Sequence, residues 1–130
     1  VYTVVAGLGF ACLENILYVF GGTLVTALIR AFTAIPLHAV ASGMMGYRLG
    51  CARMASSSRE EKALIAVGLV EAVLVHGLYD FLIFVRPLWG PAAFFGVIVL
   101  IVIVFLVLHR RIRAAIASDR RAGRVAGDGP

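Results

Sequence analysis

Acidic side chains and cysteines are scarce in this chain. Seven Asp and Glu and two Cys occur in 130 residues. Two cysteines exclude a disulfide framework. Charged residues make up only 15% of the chain, against about 25% in ordinary soluble domains, and so low a charge content also excludes a disordered chain. The HExxH pattern of helical zinc proteases is absent. There is no internal repeat, which argues against a transporter assembled from inverted halves. The first residue is Val1, and no basic segment precedes the first apolar stretch. A signal peptide is thereby excluded, and a longer protein upstream is expected.

What is present is overwhelmingly apolar. Hydrophobic residues account for 62% of the chain, and the mean hydropathy is +0.99. A soluble fold of this size has too little interior to hide so many apolar side chains. The composition therefore predicts an all-α membrane protein, a bundle of four transmembrane helices of about 20 residues each. The spans are expected at about 2–20, 24–50, 63–85 and 91–109, forming one transmembrane domain over 1–109, followed by a basic tail over 110–130. The fourth span is the cleanest, with an unbroken Val/Ile/Leu/Phe run from Val97 to Leu108. Gly21-Gly22 punctuates the end of the first span and Arg86-Pro87 the end of the third. A disordered end is expected over 126–130.

Ten of the twelve basic residues flank the second-to-third connection or follow the fourth span. By the positive-inside bias, both termini are expected on the cytoplasmic side. The same topology signal accounts for the sequence pI near 9.9 and makes a nucleic-acid partner unnecessary; anionic lipid is the expected electrostatic partner.

An ionisable group within lipid costs several kcal/mol, so it needs a partner or a task. Counted at about 1.5 Å per residue, Glu14, His38, His76 and Asp80 reach similar depths, from mid-bilayer toward the outer leaflet. Their faces agree as well. Gly7, Ala11, Glu14 and Tyr18 form one stripe, Ala34, His38, Ala41 and Ser42 a second, and Gly68, Ala72, His76 and Asp80 a third. Small residues on such stripes let helix backbones approach closely. His76 and Asp80, four residues apart, are in reach of each other, so the carboxylate can orient the imidazole. Pro36 should kink the second span and free a carbonyl near His38. Asn15 and Arg30 are expected to bind substrate or to support the site, Arg30 lying near the outer end of its span where it can snorkel. Glu71 lies about 140° around its helix from His76 and is left off the site. Cys12 and Cys51 read as small buried residues at different depths. Gly46 and Gly50 form a weak GxxxG packing pattern.

The segment Gly7-Leu8-Gly9-Phe10-Ala11-Cys12-Leu13-Glu14-Asn15-Ile16-Leu17-Tyr18 resembles the GxGFAxxENxxY signature of PrsW-type intramembrane proteases. Arg30 with His38 is similar to that family's second element, and His76 to Asp80 to its HxxxD element. The resemblance runs in order from Val1 to about Phe84, and it extends more distantly to the CAAX-protease and bacteriocin-processing group. It implies a peptidase in the bacterial plasma membrane that cuts a membrane-anchored protein, with anti-sigma factors among the family's substrates. It also implies a Glu-Glu pair upstream of Val1 that activates water. On that picture His38 holds the water, while His76, set by Asp80, stabilises the oxyanion or donates to the leaving amine. Glu14 and Asn15 line the site, and no cofactor is needed. Glu60-Glu61-Lys62 is not taken as the acidic pair, because it lies in the second-to-third connection, after the first two elements.

A second reading of the same residues places Zn²⁺ on His38, His76 and Asp80. A third is non-enzymatic: a proton-coupled transporter, since intramembrane His, Asp and Glu also build proton relays, or a scaffold that binds clients without cutting them.

Overall fold

In the computed structural model of this chain, residues 1–127 are described. They form five helices: α1 (Tyr2–Gly21), α2 (Leu24–Ala52), α3 (Ser58–Phe84), the single turn α4 (Arg86–Trp89) and α5 (Pro91–Gly127). No strand occurs among the described residues. Four of the helices, all but α4, are long and apolar enough to cross a membrane.

Local chemistry explains the helix ends. Thr23 caps α2 by accepting from the Thr26 N–H. Ser57 caps α3 by accepting from the Glu60 N–H, and the Glu60 carboxylate accepts from the Ser56 N–H. This is close to a reciprocal capping box. It explains why α3 begins at Ser58, ahead of the expected 63, and it accounts for Glu60 as a helix cap. Two acidic residues in this first turn also complement the helix dipole. The third span closes at Phe84, as Arg86-Pro87 indicated, and α4 turns the chain toward α5. Gly90 makes that turn with φ of 55°, a region a Cβ disfavours. The chain runs through Pro36 without leaving α2.

No backbone break separates the fourth span from a tail. The helix continues through Arg110 to Gly127 as 37 residues, about 55 Å of rod against about 30 Å of hydrocarbon. Ala126 and Gly127, expected to be disordered, close this helix, because the Arg- and Ala-rich sequence before them favours helix. The remainder of the expected disordered end, 128–130, lies outside the described residues.

The centre of the fold is α2, which packs against α1, α3 and α5. One core cluster joins Ala34 and Leu37 of α2 to Tyr79 of α3 and Val97 of α5. A second joins Val40 and Met44 to Val104. Helices α2, α3 and α5 thus form a three-helix core, while α1 leans on α2 alone among the described residues. The space between α1 and α3 is left as a groove whose floor is α2.

Candidate active site

The seam between α1 and α2 sets the position of Glu14. At Gly7 the two helices come so close that an added Cβ would run into the Ser42 side chain. Ala11, one turn on, is 1% exposed. A further turn along the same stripe brings Glu14 against α2. There its Oε2 accepts from Nη2 of Arg30 at 2.8 Å and lies 3.0 Å from Nε2 of His38. An ionised carboxylate only accepts, so with Glu14 in that form Nε2 of His38 is the donor at the second contact. Among the described residues, no hydrogen bond reaches Oε1 of Glu14.

The third helix supplies His76. Its ring meets the His38 ring edge to face, with centroids 4.8 Å apart. Nε2 of His76 lies 3.3 Å from Oδ2 of Asp80. Phe10 packs on the other side of His38, centroid to centroid 5.6 Å. His38 itself is buried at 6% exposure. Both histidines line the α1–α3 groove, about 700 Å³ in volume, together with Gly7, Phe10, Ser42 and Ala72.

Of the expected site residues, the structure brings Glu14, His38 and His76 together. One ligand atom from each falls within 4.8 Å of the others. Asp80 stands apart from this group. Its side chain is 57% exposed, and the contact it makes is with His76. The i, i+4 step that puts it in reach of His76 also carries it about 6 Å along the helix. The possible metal group in the structure is therefore Glu14, His38 and His76, where the sequence reading had Asp80 in place of Glu14.

Arg30 does not snorkel. It is 7% exposed, donates from Nε to Oδ1 of Asn15 at 2.8 Å, and lies over the Tyr18 ring at 3.7 Å. The spacing along α2 suggested an interfacial position, but the partners that hold Arg30 inward lie on α1 and cannot be read from α2. Asn15 is thereby a partner of Arg30. Cys12, expected to be buried, is exposed, on the wall of a shallow groove between α1 and Ile35 of α2; Cys51 is half-buried, and both are free thiols. Gly46 packs against Thr3, whereas Gly50 has open space beside it, so only half of the GxxxG pattern makes a contact.

Two features escaped the sequence reading. Tyr79, 1% exposed, shares a hydrogen bond of 3.1 Å with Thr33. Glu71, left without a role, is bound by Arg48 and Arg111 through four hydrogen bonds. Both arginines had been counted only as markers of sidedness.

Two imidazoles and a carboxylate are the donor set of many catalytic zinc sites, which keep a further position for water or substrate. The residues present therefore fit a divalent metal ion by type and number. The Arg30 contact to Glu14 also matches the usual finding that a ligating carboxylate is itself hydrogen-bonded.

The family model described as "PrsW family intramembrane metalloprotease" matches residues 1–108. The chain is similar to Protease PrsW of Bacillus subtilis (strain 168), 39% identical over 89 residues, which cover 68% of this chain and 40% of that protein. Protease PrsW of Geobacillus kaustophilus is 36% identical over 90 residues, 69% of this chain and 39% of the relative. Protease PrsW of Halalkalibacterium halodurans is 32% identical over 120 residues, 92% of this chain and 54% of the relative. The chain thus spans about half the length, or less, of these curated relatives. No solved structure matches it.

Proposed function

The chain belongs to the PrsW family of intramembrane metalloproteases, and from that premise we propose that it forms the core of a membrane-embedded peptidase whose reacting centre is Glu14, His38 and His76. The approach of these three donor groups to within 4.8 Å, with both histidines on the wall of a groove, carries this reading. Family membership and four candidate spans make the chain a multi-pass membrane protein. The distribution of arginines supports both termini on the cytoplasmic side. The substrate is a membrane-anchored protein, an anti-sigma factor being the kind the family resemblance favours.

The chain's own residues divide the work. His38 and His76 offer ring nitrogens, and Glu14 offers Oε1, to an ion of the zinc class. Such an ion, when bound, supplies an activated water and polarises the scissile carbonyl. Asp80 fixes the ring of His76 by taking up its Nε2. Arg30 balances the charge of Glu14. The groove between α1 and α3, lined mostly by apolar surface, admits an apolar stretch of substrate from the side and brings it to the histidines.

The test uses the full-length protein purified in detergent, with cleavage of a membrane-anchored reporter as the readout. Stoichiometric zinc, and loss of at least 100-fold of the activity with 1,10-phenanthroline followed by recovery on adding zinc, are expected. His38→Ala and His76→Ala should each abolish cleavage while membrane insertion is retained. Unaltered cleavage under chelation by a protein free of zinc would return the site to the metal-free reading, in which the histidines serve water and oxyanion directly. Full activity in both histidine variants would remove the site altogether.

A further inference from the structure

Arg30 is held by three contacts of different kinds. Nη2 donates to Oε2 of Glu14 and Nε to Oδ1 of Asn15, both at 2.8 Å. The guanidinium plane lies 3.7 Å from the centre of the Tyr18 ring. All three partners lie on α1, within the five residues Glu14 to Tyr18, while Arg30 comes from α2. A buried cation needs hydrogen bonds beyond its ion pair to offset desolvation, and those bonds also fix its orientation. Here two nitrogens and one face of the guanidinium are taken up, so it cannot turn without breaking a second contact.

Resting on the metal reading above, we infer that Arg30 is a positioning residue. It pins Oε2 of Glu14 and so leaves Oε1 as the donor for an ion shared with His38 and His76. Outer partners of metal ligands fix orientation in this way, and their loss costs about 10–100-fold in metal affinity. Lysine cannot replace it. An ammonium group is a point charge without the planar fork that serves Glu14 and Asn15 together, and it lacks the flat face that covers Tyr18. Asn15 and Tyr18 act one step further out, holding the residue that holds the ligand.

Zinc affinity of the full-length protein in detergent, read by competition with a chromophoric chelator, and the visible spectrum of the cobalt-substituted form test this without recourse to cleavage. Arg30→Lys should weaken zinc binding about 10–100-fold and alter the cobalt bands. Asn15→Ala and Tyr18→Leu should each weaken binding several-fold. Wild-type affinity and spectrum in a folded Arg30→Lys protein would overturn the inference and leave the metal reading standing. Should Arg30→Lys fail to fold, Asn15→Ala and Tyr18→Leu decide, and unchanged zinc affinity in both overturns it. A wild-type protein that takes up no zinc would overturn the metal reading and this inference together.

Discussion

Two glutamates face inward in this bundle, and arginine holds both. Glu71 of α3 has each oxygen engaged twice: Arg48 of α2 binds at 2.6 and 3.1 Å, and Arg111 of α5 at 2.9 and 3.1 Å. Glu14 of α1 gives one oxygen to Arg30 and His38 and keeps the other unclaimed among the described residues. The first carboxylate ties three helices at one end of the core and has no capacity left. The second ties α1 to α2 and sits within ligand distance of a second imidazole. Arginine beside a half-buried carboxylate is thus not diagnostic of either role. What separates a fastening from a reacting centre is an acceptor with capacity to spare and other donors around it.

That contrast can be broken by exchanging charge for neutrality at each glutamate. Glu14→Gln should lower cleavage by at least 100-fold, in the range seen when an essential proton-transfer or ligand group is lost, while the protein still inserts and folds. Glu71→Gln should do the reverse. It leaves two guanidiniums competing for one amide oxygen, so detergent-solubilised protein should lose about 2 kcal/mol of stability through weakened charge-assisted hydrogen bonds, read as earlier unfolding in denaturant. Cleavage per folded molecule should stay within about twofold. Loss of activity at Glu71 equal to that at Glu14 would erase the distinction.

Packing at the two places gives a finer comparison. A Cβ at Gly7 would run into Ser42, whereas one at Gly9 meets nothing within 4 Å. Gly7→Ala should therefore push α1 away from α2, costing about 1–3 kcal/mol and weakening zinc binding through the displaced Glu14. Gly9→Ala should leave zinc binding untouched and raise stability by about 0.5–1 kcal/mol through helix propensity. A comparably small effect belongs to the three-helix core. Tyr79→Phe removes the hydrogen bond to Thr33 and should cost about 1 kcal/mol, with no change in metal affinity. A thermal melt and a chelator titration on the same sample check all three variants.

Much of the architecture was legible in the residues. Hydropathy gave four spans, and Gly21-Gly22 and Arg86-Pro87 ended two of them where the structure does. The stripes of small residues pointed Glu14, His38 and His76 toward neighbouring helices, and these three meet. Contacts across helices were less accessible. The pairing of Arg48 and Arg111 with Glu71 depends on how α2, α3 and α5 rotate against each other, and a single helix wheel carries no information about that. The inward turn of Arg30 was illegible for the same reason, since depth along α2 says nothing about what α1 offers there. Asp80 shows the limit of reading one helix alone. Periodicity placed it on the face of His76, but the crossing of the helices decides which turn meets Glu14.

Among the described residues, helix α1 is fastened along a single edge, to α2, and the short link through Gly22 and Thr23 joins the two. A tilt of that one rod would carry Glu14 away from both imidazoles without disturbing the Tyr79 or Glu71 contacts. The donor set is therefore divided between two parts of the bundle, with Glu14 on α1 and both imidazoles on the three-helix core.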